Sequence, residues 1–411
     1  GSAVVRLGTV LIGSVVVSNK TPLGLAEFIT PSQTINDLVS VFAGTTTATL
    51  YYYDTSWHAS TLTTLSNTAK VRFVTFGGKI FMANGIDAMK SSADANTWVT
   101  TDCITTDSVL PSLLVVAKNH LLATGPIHPS RIYFSSVIAP GTIPFITWNT
   151  TTATGDWIDI NPDDGDDITG FSDTSALTLV FKRNAMYRLS AISKTVDTNN
   201  IFNIGAVSQE AITRCQGVTY FFSGLDIRRT NGDYPEQISR LGVQDFIDAI
   251  SQTSWTSVAA GNDGLNVFFS IGNVTLNTDQ NEQITYNNVV LKFSPRDESW
   301  SVHSYYNAFK FFVTHTFSAG TYGRRLVGAD TAGSVQTLGY PGTTTDNTNP
   351  IYYELETQEI DFGNRATTKK ITDKMAVFMN NGTDTHFQCR PDDKDYDSFV
   401  VDLSNRVNVI K

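Results

Sequence analysis

Residues 167–230 hold two copies of one local plan: strand, tight turn, strand, turn. In the first copy Leu177, Leu179 and Phe181 alternate with Thr178, Val180 and Lys182, and Arg183-Asn184 turns the chain into AMYRLS. In the second, Val218, Tyr220 and Phe222 alternate, Ser223-Gly224 turns, and LDIRRT returns. Period-two alternation places one set of side chains on a buried sheet face and the other toward a neighbouring sheet or solvent. Weaker copies recur. VRFVTF and KIFMAN flank Gly77-Gly78, a strong hairpin signal, and LLVVA and HLLATG flank Lys118-Asn119. Further copies surround Asn231-Gly232 and the turn Asp330-Thr331-Ala332-Gly333.

The tryptophans keep the same beat. Trp57, Trp98 and Trp148 lie 41 and 50 residues apart, and Trp300 comes 152 residues later, close to three more periods. Repeats of ~40–50 residues, each with four short strands, are the pattern of a β-propeller. The expected fold is therefore all-β: a propeller of six to seven blades, the count depending on whether the first and last segments share a blade. Such sharing leaves no free sheet edge. The expected layout has N-terminal strands and a loop over 1–34, either completing a blade or forming a platform. Residues 35–340 form the propeller, with its first blade over 35–60. A linker spans 341–350 (PGTTTDNTNP), and a small β-sandwich-like domain spans 351–411, with turns at Gly363, Asn380-Asn381-Gly382 and Asp392-Asp393. Val4 to Val17 reads as a strand pair turned near Gly13, and Ser239 to Ile250 as a short helix.

Composition enters through what it excludes. Net charge is −10, with 39 acidic and 29 basic residues. An outward DNA-binding surface needs a basic stripe to displace counterions, so it is disfavoured; an acidic channel that DNA slides through fits. The run GSAVVRLGTVLIGSVVV is too short to span a membrane and lacks a signal-peptide pattern, so a soluble chain is expected. Cys103, Cys215 and Cys389 form no CxxC pair and read as free buried thiols. No cofactor is expected: the six histidines show no metal spacing, and no GxSxG, P-loop or dinucleotide fingerprint occurs.

Four features could carry a role. Ser92, Asp94, Asn96 and Trp98, and again Ser294, Asp297 and Trp300, approach the Asp-box of sialidase-like propellers. There the Asp caps turn amides and the Trp packs between blades, which is a structural task. Trp57, Trp98, Trp148 and Trp300 are accordingly the expected blade-packing residues. Asp163, Asp164, Asp166 and Asp167 surround Gly165; they read as a solvated acidic loop or a lumen-facing patch, with calcium binding as the sharper alternative. Tyr51, Tyr52 and Tyr53 could form an aromatic patch, though alternation sends at least one to the core.

The segment GAVSQEAITRCQGVTYFFSGLDIRRTNGDYPEQIS resembles one in tail tubular (nozzle) proteins of short-tailed bacteriophages. So does IYYELETQEIDFGNRATTKKITDKMAVFM near the C-terminus, in its Thr-x-x-Ile-Asp-Phe-Gly and Lys-Lys-Ile pattern. The resemblance implies a non-enzymatic virion tail protein, made in the host cytoplasm. It implies a self-assembled ring, a homo-hexamer, placed below the portal and adaptor. Such a ring extends the DNA channel for genome retention and ejection, docks tail fibres, and meets the host envelope. Viral DNA would pass without specific binding, and Asp163, Asp164, Asp166 and Asp167 would line the lumen. A related reading is a head-completion protein. The alternative from another class is a carbohydrate-binding or glycan-cleaving propeller acting as a receptor-binding tail component.

Overall fold

The computed structural model describes residues 7–351, apart from 106–108, 138–145, 152–154, 175–176, 198–200, 241, 278–282, 318–322, 341–342, 344 and 348. Beyond these it describes 375–377, 385–389, 397–401 and 408–410. The chain divides into two units, Gly1–Tyr353 and Glu354–Lys411.

The first unit is a ring of seven mainly antiparallel sheets. Their innermost strands are Pro22–Ile29, Arg72–Phe76, Leu113–Ala117, Ile168–Asp173, Ile212–Cys215, Ala259–Asn262 and Phe309–Thr316. Each packs beside the next, and the seventh packs beside the first, so the ring is closed. Blades 1 and 3–6 follow the up-and-down order of the chain. Blade 2 has three strands, its outer edge completed by the bridge Ser91–Val99. Two-residue hairpin turns carry the sheets where the sequence placed them. Gly77 and Gly78 have φ of 58° and 78°, and Lys118 and Asn119 have 48° and 64°, the left-handed pair that a type I′ turn demands.

Closure lies in blade 7. Its strands Phe309–Thr316, Arg324–Asp330 and Val335–Leu338 are followed in space by Thr9–Leu11, which runs antiparallel to Val335–Leu338. The N-terminus thus supplies the strand that the C-terminal end of the ring lacks. Two expectations are corrected here. Thr9–Leu11 has no hairpin partner after Gly13; Val16 and Val17 instead donate their N–H groups to Gly333 O. The first blade begins at Pro22, not at residue 35, because Leu23 and Phe28 pack into one of its two interfaces and Leu25 into the other. The segment 341–350 is also more than a linker. Thr345–Asp346 and Asn349–Pro350 pair with each other, and Asp346 pairs with Thr9, extending the sheet of blade 7.

Among the described residues seven hydrophobic clusters fill the ring, one between each neighbouring pair of blades. Between blades 1 and 2, for instance, Val39, Val41 and Leu50 meet Ile80, Met82 and Val71; between blades 4 and 5, Leu179 and Phe181 meet Ile212 and Phe221. Sheets buried on both faces explain why the strands read as nearly continuous apolar runs. Each fully buried Leu, Ile or Phe contributes ~1.5–3 kcal/mol. Polar ties cross the same interfaces. Gln209 gives Phe171 two backbone-like bonds, accepting from its N–H at 2.7 Å and donating to its carbonyl at 3.1 Å. Ser172 and Thr219 share a hydroxyl bond of 2.7 Å.

The one α-helix among the described residues, Gln244–Asp248, lies within the expected span. It packs against the long hairpin of blade 6, Val267–Asn277 and Gln283–Ser294, through Phe246 and Tyr286 at 5.2 Å. In the second unit, Met375–Val377 pairs with Asn408–Ile410, and Thr385–Cys389 with Asp397–Val401, as two two-stranded sheets. The expected turns at Gly363, Asn380-Asn381-Gly382 and Asp392-Asp393 lie outside the described residues, as does most of the C-terminal segment that carries the family resemblance.

Candidate functional site

In a four-stranded antiparallel blade, the chain enters the innermost strand at the same face where its second and third strands turn. The acidic loop sits at that entry face. Residues Pro162–Asp164 form one 3-10 turn between Asn161 and Gly165, both left-handed, leading into Ile168–Asp173 of blade 4. Its four carboxylates do different things. Asp164 Oδ1 accepts a 2.6 Å bond from Nζ of Lys182, which is fully buried and also donates to Asn161 O at 3.0 Å. Tyr187 Oη donates to the other Asp164 oxygen at 3.2 Å. Burial acts to raise the Asp164 pKa, but Lys182 and the Asp166 N–H outweigh it and hold the carboxyl below its ordinary value. A buried ammonium without a partner is strongly destabilising, so Asp164 is the structural counterion of blade 4. Asp166 accepts the N–H groups of Arg183 and Asn184 at 3.1 and 2.8 Å and closes the loop onto the turn. Only Asp163 and Asp167 are left exposed without a bond among the described residues. Of the four carboxylates the sequence grouped together, two are thus committed to bonds within blade 4 and two stay free of them.

The strongest electrostatic feature is one that sequence reasoning missed. Glu210, in the short turn that enters blade 5, has a side chain only 6% exposed. It accepts from Arg72 Nε at 2.7 Å and Nη2 at 3.2 Å, and from Lys70 Nζ at 2.9 Å. Lys70 and Arg72 belong to the entry of blade 2, across the ring from blade 5. Lys70 also donates to Thr256 O at 2.7 Å, and Arg72 to Ser112 O at 3.0 Å. The network thus spans the mouth of the central channel and joins the entries of blades 2, 3, 5 and 6. Burial acts to raise the Glu210 pKa, yet Arg72 and Lys70 outweigh it and bring the carboxyl down to about 2. Lys310, on the innermost strand of blade 7, has its pKa lowered by burial and by the Lys70 charge. The only available signal was charge on otherwise apolar inner strands and a Glu inside the SQEAI motif.

At the seam between blades 7 and 1 lies a second cluster. Glu27 Oε1 is 3.0 Å from His315 Nδ1 and accepts the Thr316 N–H at 2.8 Å. Asp37, buried nearby, is raised to about 6 by burial and by Asp54, with His315 opposing.

The tryptophans occupy blades 1, 2, 3 and 6, which accounts for their one-, one- and three-period spacing. Trp98, Trp148 and Trp300 join the clusters between blades 1 and 2, 2 and 3, and 5 and 6, and Trp57 joins that between blades 7 and 1. Each indole N–H reaches a carbonyl: Ile12, Ala95, Asp102 and Ile238 in sequence order of the tryptophans. In the first box-like turn Asp94 accepts from Ser92 Oγ at 2.9 Å, Asn96 N at 3.0 Å and Thr97 N at 2.7 Å. In the second, Ser294 Oγ donates to Asp297 at 2.9 Å. Tyr51, Tyr52 and Tyr53 all pack between blades and make no surface patch. Cys103 and Cys215 are buried, and burial pushes their thiols up to about 12 and about 11. Among the described residues no three His, Cys, Asp or Glu side chains are placed to hold a metal ion.

This architecture defines the class: a closed, seven-bladed β-propeller. No family model matches the chain, and no curated protein matches it. Solved propellers do. A chain of the BBS1N–ARL6DN complex is similar over 82% of this chain and 99% of its own, at TM-score 0.52 and 12% identity. BamB from Moraxella catarrhalis covers 83% of this chain over 99% of its own, at TM-score 0.46 and 11% identity. Virginiamycin B lyase from Staphylococcus aureus, in a catalytically inactive form, covers 82% over 99%, at 0.46 and 12%. At such identities the likeness is one of fold.

Proposed function

We propose that the chain is a structural subunit of a bacteriophage tail conduit, of the tail tubular (nozzle) type, and that it performs no catalysis. The observation that carries this reading is the position of Glu210. The segment that resembles the nozzle proteins, from GAVSQEAITRC onward, folds as blade 5 and its entry arm. Its one acidic residue before the strand bridges the ring to blade 2. That segment supplies rigidity, the property a stacked conduit needs from each subunit.

In this reading DNA does not thread the propeller, because ion pairs close the subunit's own axis at the entry face. The lumen is the space enclosed by several subunits, and Asp163 and Asp167 are the carboxylates of the loop free to face it and repel phosphates. Mass photometry of the purified chain, alone and with portal and adaptor proteins, tests the reading: rings of about six subunits support it. A monomer that never assembles with these partners overturns it. Neutralising Asp163→Asn with Asp167→Asn slows DNA ejection from assembled particles while leaving assembly intact; unchanged ejection kinetics remove the lumen assignment.

A further inference from the structure

A cavity of about 210 Å³ opens in blade 7, away from the ring axis. Its floor is the closing strand at Thr9, and its walls come from the segment after that strand, the connection at Tyr306-Asn307, and Asp346-Asn347. Thr9 is buried in that floor, and its hydroxyl has no hydrogen-bond partner among the described residues.

The rest of the lining selects the ligand. Asn307 and Gln336 each donate one amide N–H to Asp330 and keep their carbonyl oxygens as acceptors. Asn19 supplies a side-chain amide with no hydrogen bond among the described residues, so it offers both donor and acceptor. Among the described lining residues none is Lys, Arg or His, and Asp346 is a buried carboxylate. An anionic ligand is therefore disfavoured. Groups that both donate and accept, in close array, match the hydroxyls of a neutral polyol. Tyr306, 65% exposed, offers an apolar ring face at the rim. The volume is below the ~300–1,000 Å³ of sites for drug-sized ligands, so a single sugar ring is the fitting size.

We propose that this cavity binds the terminal, neutral monosaccharide of a glycan. The proposal stands on the fold of blade 7 and does not depend on the tail assignment. The test is saturation-transfer NMR on the full chain with methyl α-glucoside, methyl α-galactoside and methyl α-mannoside. A glycan array carrying neutral and sialylated termini accompanies it. The expected result is transfer to at least one neutral pyranoside at millimolar concentration. Tyr306→Ala, at an exposed position, weakens it about tenfold without moving the thermal midpoint. Asn19→Gly removes the side-chain amide while keeping the left-handed backbone at φ 55°, and weakens the same binding about tenfold with the ligand-free midpoint unmoved. Lack of transfer to all three probes, binding indifferent to both substitutions, or selection of sialylated termini alone overturns the proposal.

Discussion

Replacing Glu210 with Gln keeps the size of the side chain and removes the negative charge that Arg72 and Lys70 share. The size of the effect comes from the carboxyl's displacement. Its value falls from 4.5 to about 2 in the fold. A displacement of that size corresponds to about 3 kcal/mol of stability. The folded value is the depressed one, so this contribution is present in full above pH 4.5 and is lost as pH falls toward 2. Glu210→Gln therefore lowers stability by about 3 kcal/mol at pH 7. With an unfolding entropy of ~2.1 cal/mol/K per residue, over the propeller's ~350 residues, that is a fall of about 4 °C in Tm. The assay is urea unfolding followed by tryptophan fluorescence, wild type against variant, at pH 7, 5, 4, 3 and 2.5. Arg72 and Lys70 keep their carbonyl bonds in the variant but lose their shared counterion while partly buried, beside Lys310, which works in the same direction. The gap between the two proteins closes at low pH, since the wild-type carboxylate is then protonated. In an Arg72→Met background the Glu210→Gln effect shrinks, because the two residues share one interaction. A gap below about 1 kcal/mol at pH 7, or one that stays constant from pH 7 to pH 2.5, refutes the assignment of this pair as the axial clamp.

Two further outcomes concern the seam where the ring closes. Asp37 has its value raised to about 6, so the fold prefers its protonated form, and stability declines as pH rises from about 4 through 6. Asp37→Asn relieves this and raises the thermal midpoint at pH 7 by a few degrees, with no gain at pH 3.5; calorimetry at the two pH values decides, and a variant less stable at pH 7 contradicts the burial argument. At Gly333, with φ +85°, a Cβ would stand 1.6 Å from Val17 O. Gly333→Ala therefore displaces the segment holding Thr9–Leu11 against blade 7. It lowers the midpoint and exposes the N-terminal segment to limited proteolysis, and an unchanged cleavage rate at that segment counts against closure by this strand.

Sequence alone determined the strands, their turns and the blade rhythm, because alternation and turn chemistry are local. Leu177, Leu179 and Phe181 point to one interface whatever lies elsewhere, and Lys118-Asn119 makes its hairpin from its own backbone preferences. The tryptophan beat is legible because each of the four indoles packs at the interface with the blade before its own, a position that recurs once per blade. The tertiary structure decided what depends on residues far apart in the chain. Pro22–Ile29 reads as a loop until it is seen that its apolar residues have cores on both sides. Thr9–Leu11 is a strand only because Val335–Leu338, over three hundred residues later, leaves an edge to fill. Asp164 and Asp167 are equal in sequence, yet one neutralises buried Lys182 and the other stays in water. Glu210, Arg72 and Lys70 meet only because a ring of seven blades brings the entries of blades 2 and 5 to opposite sides of one narrow mouth. Charge pairing across that distance carries no signature in local spacing, so only closure of the ring could assign it.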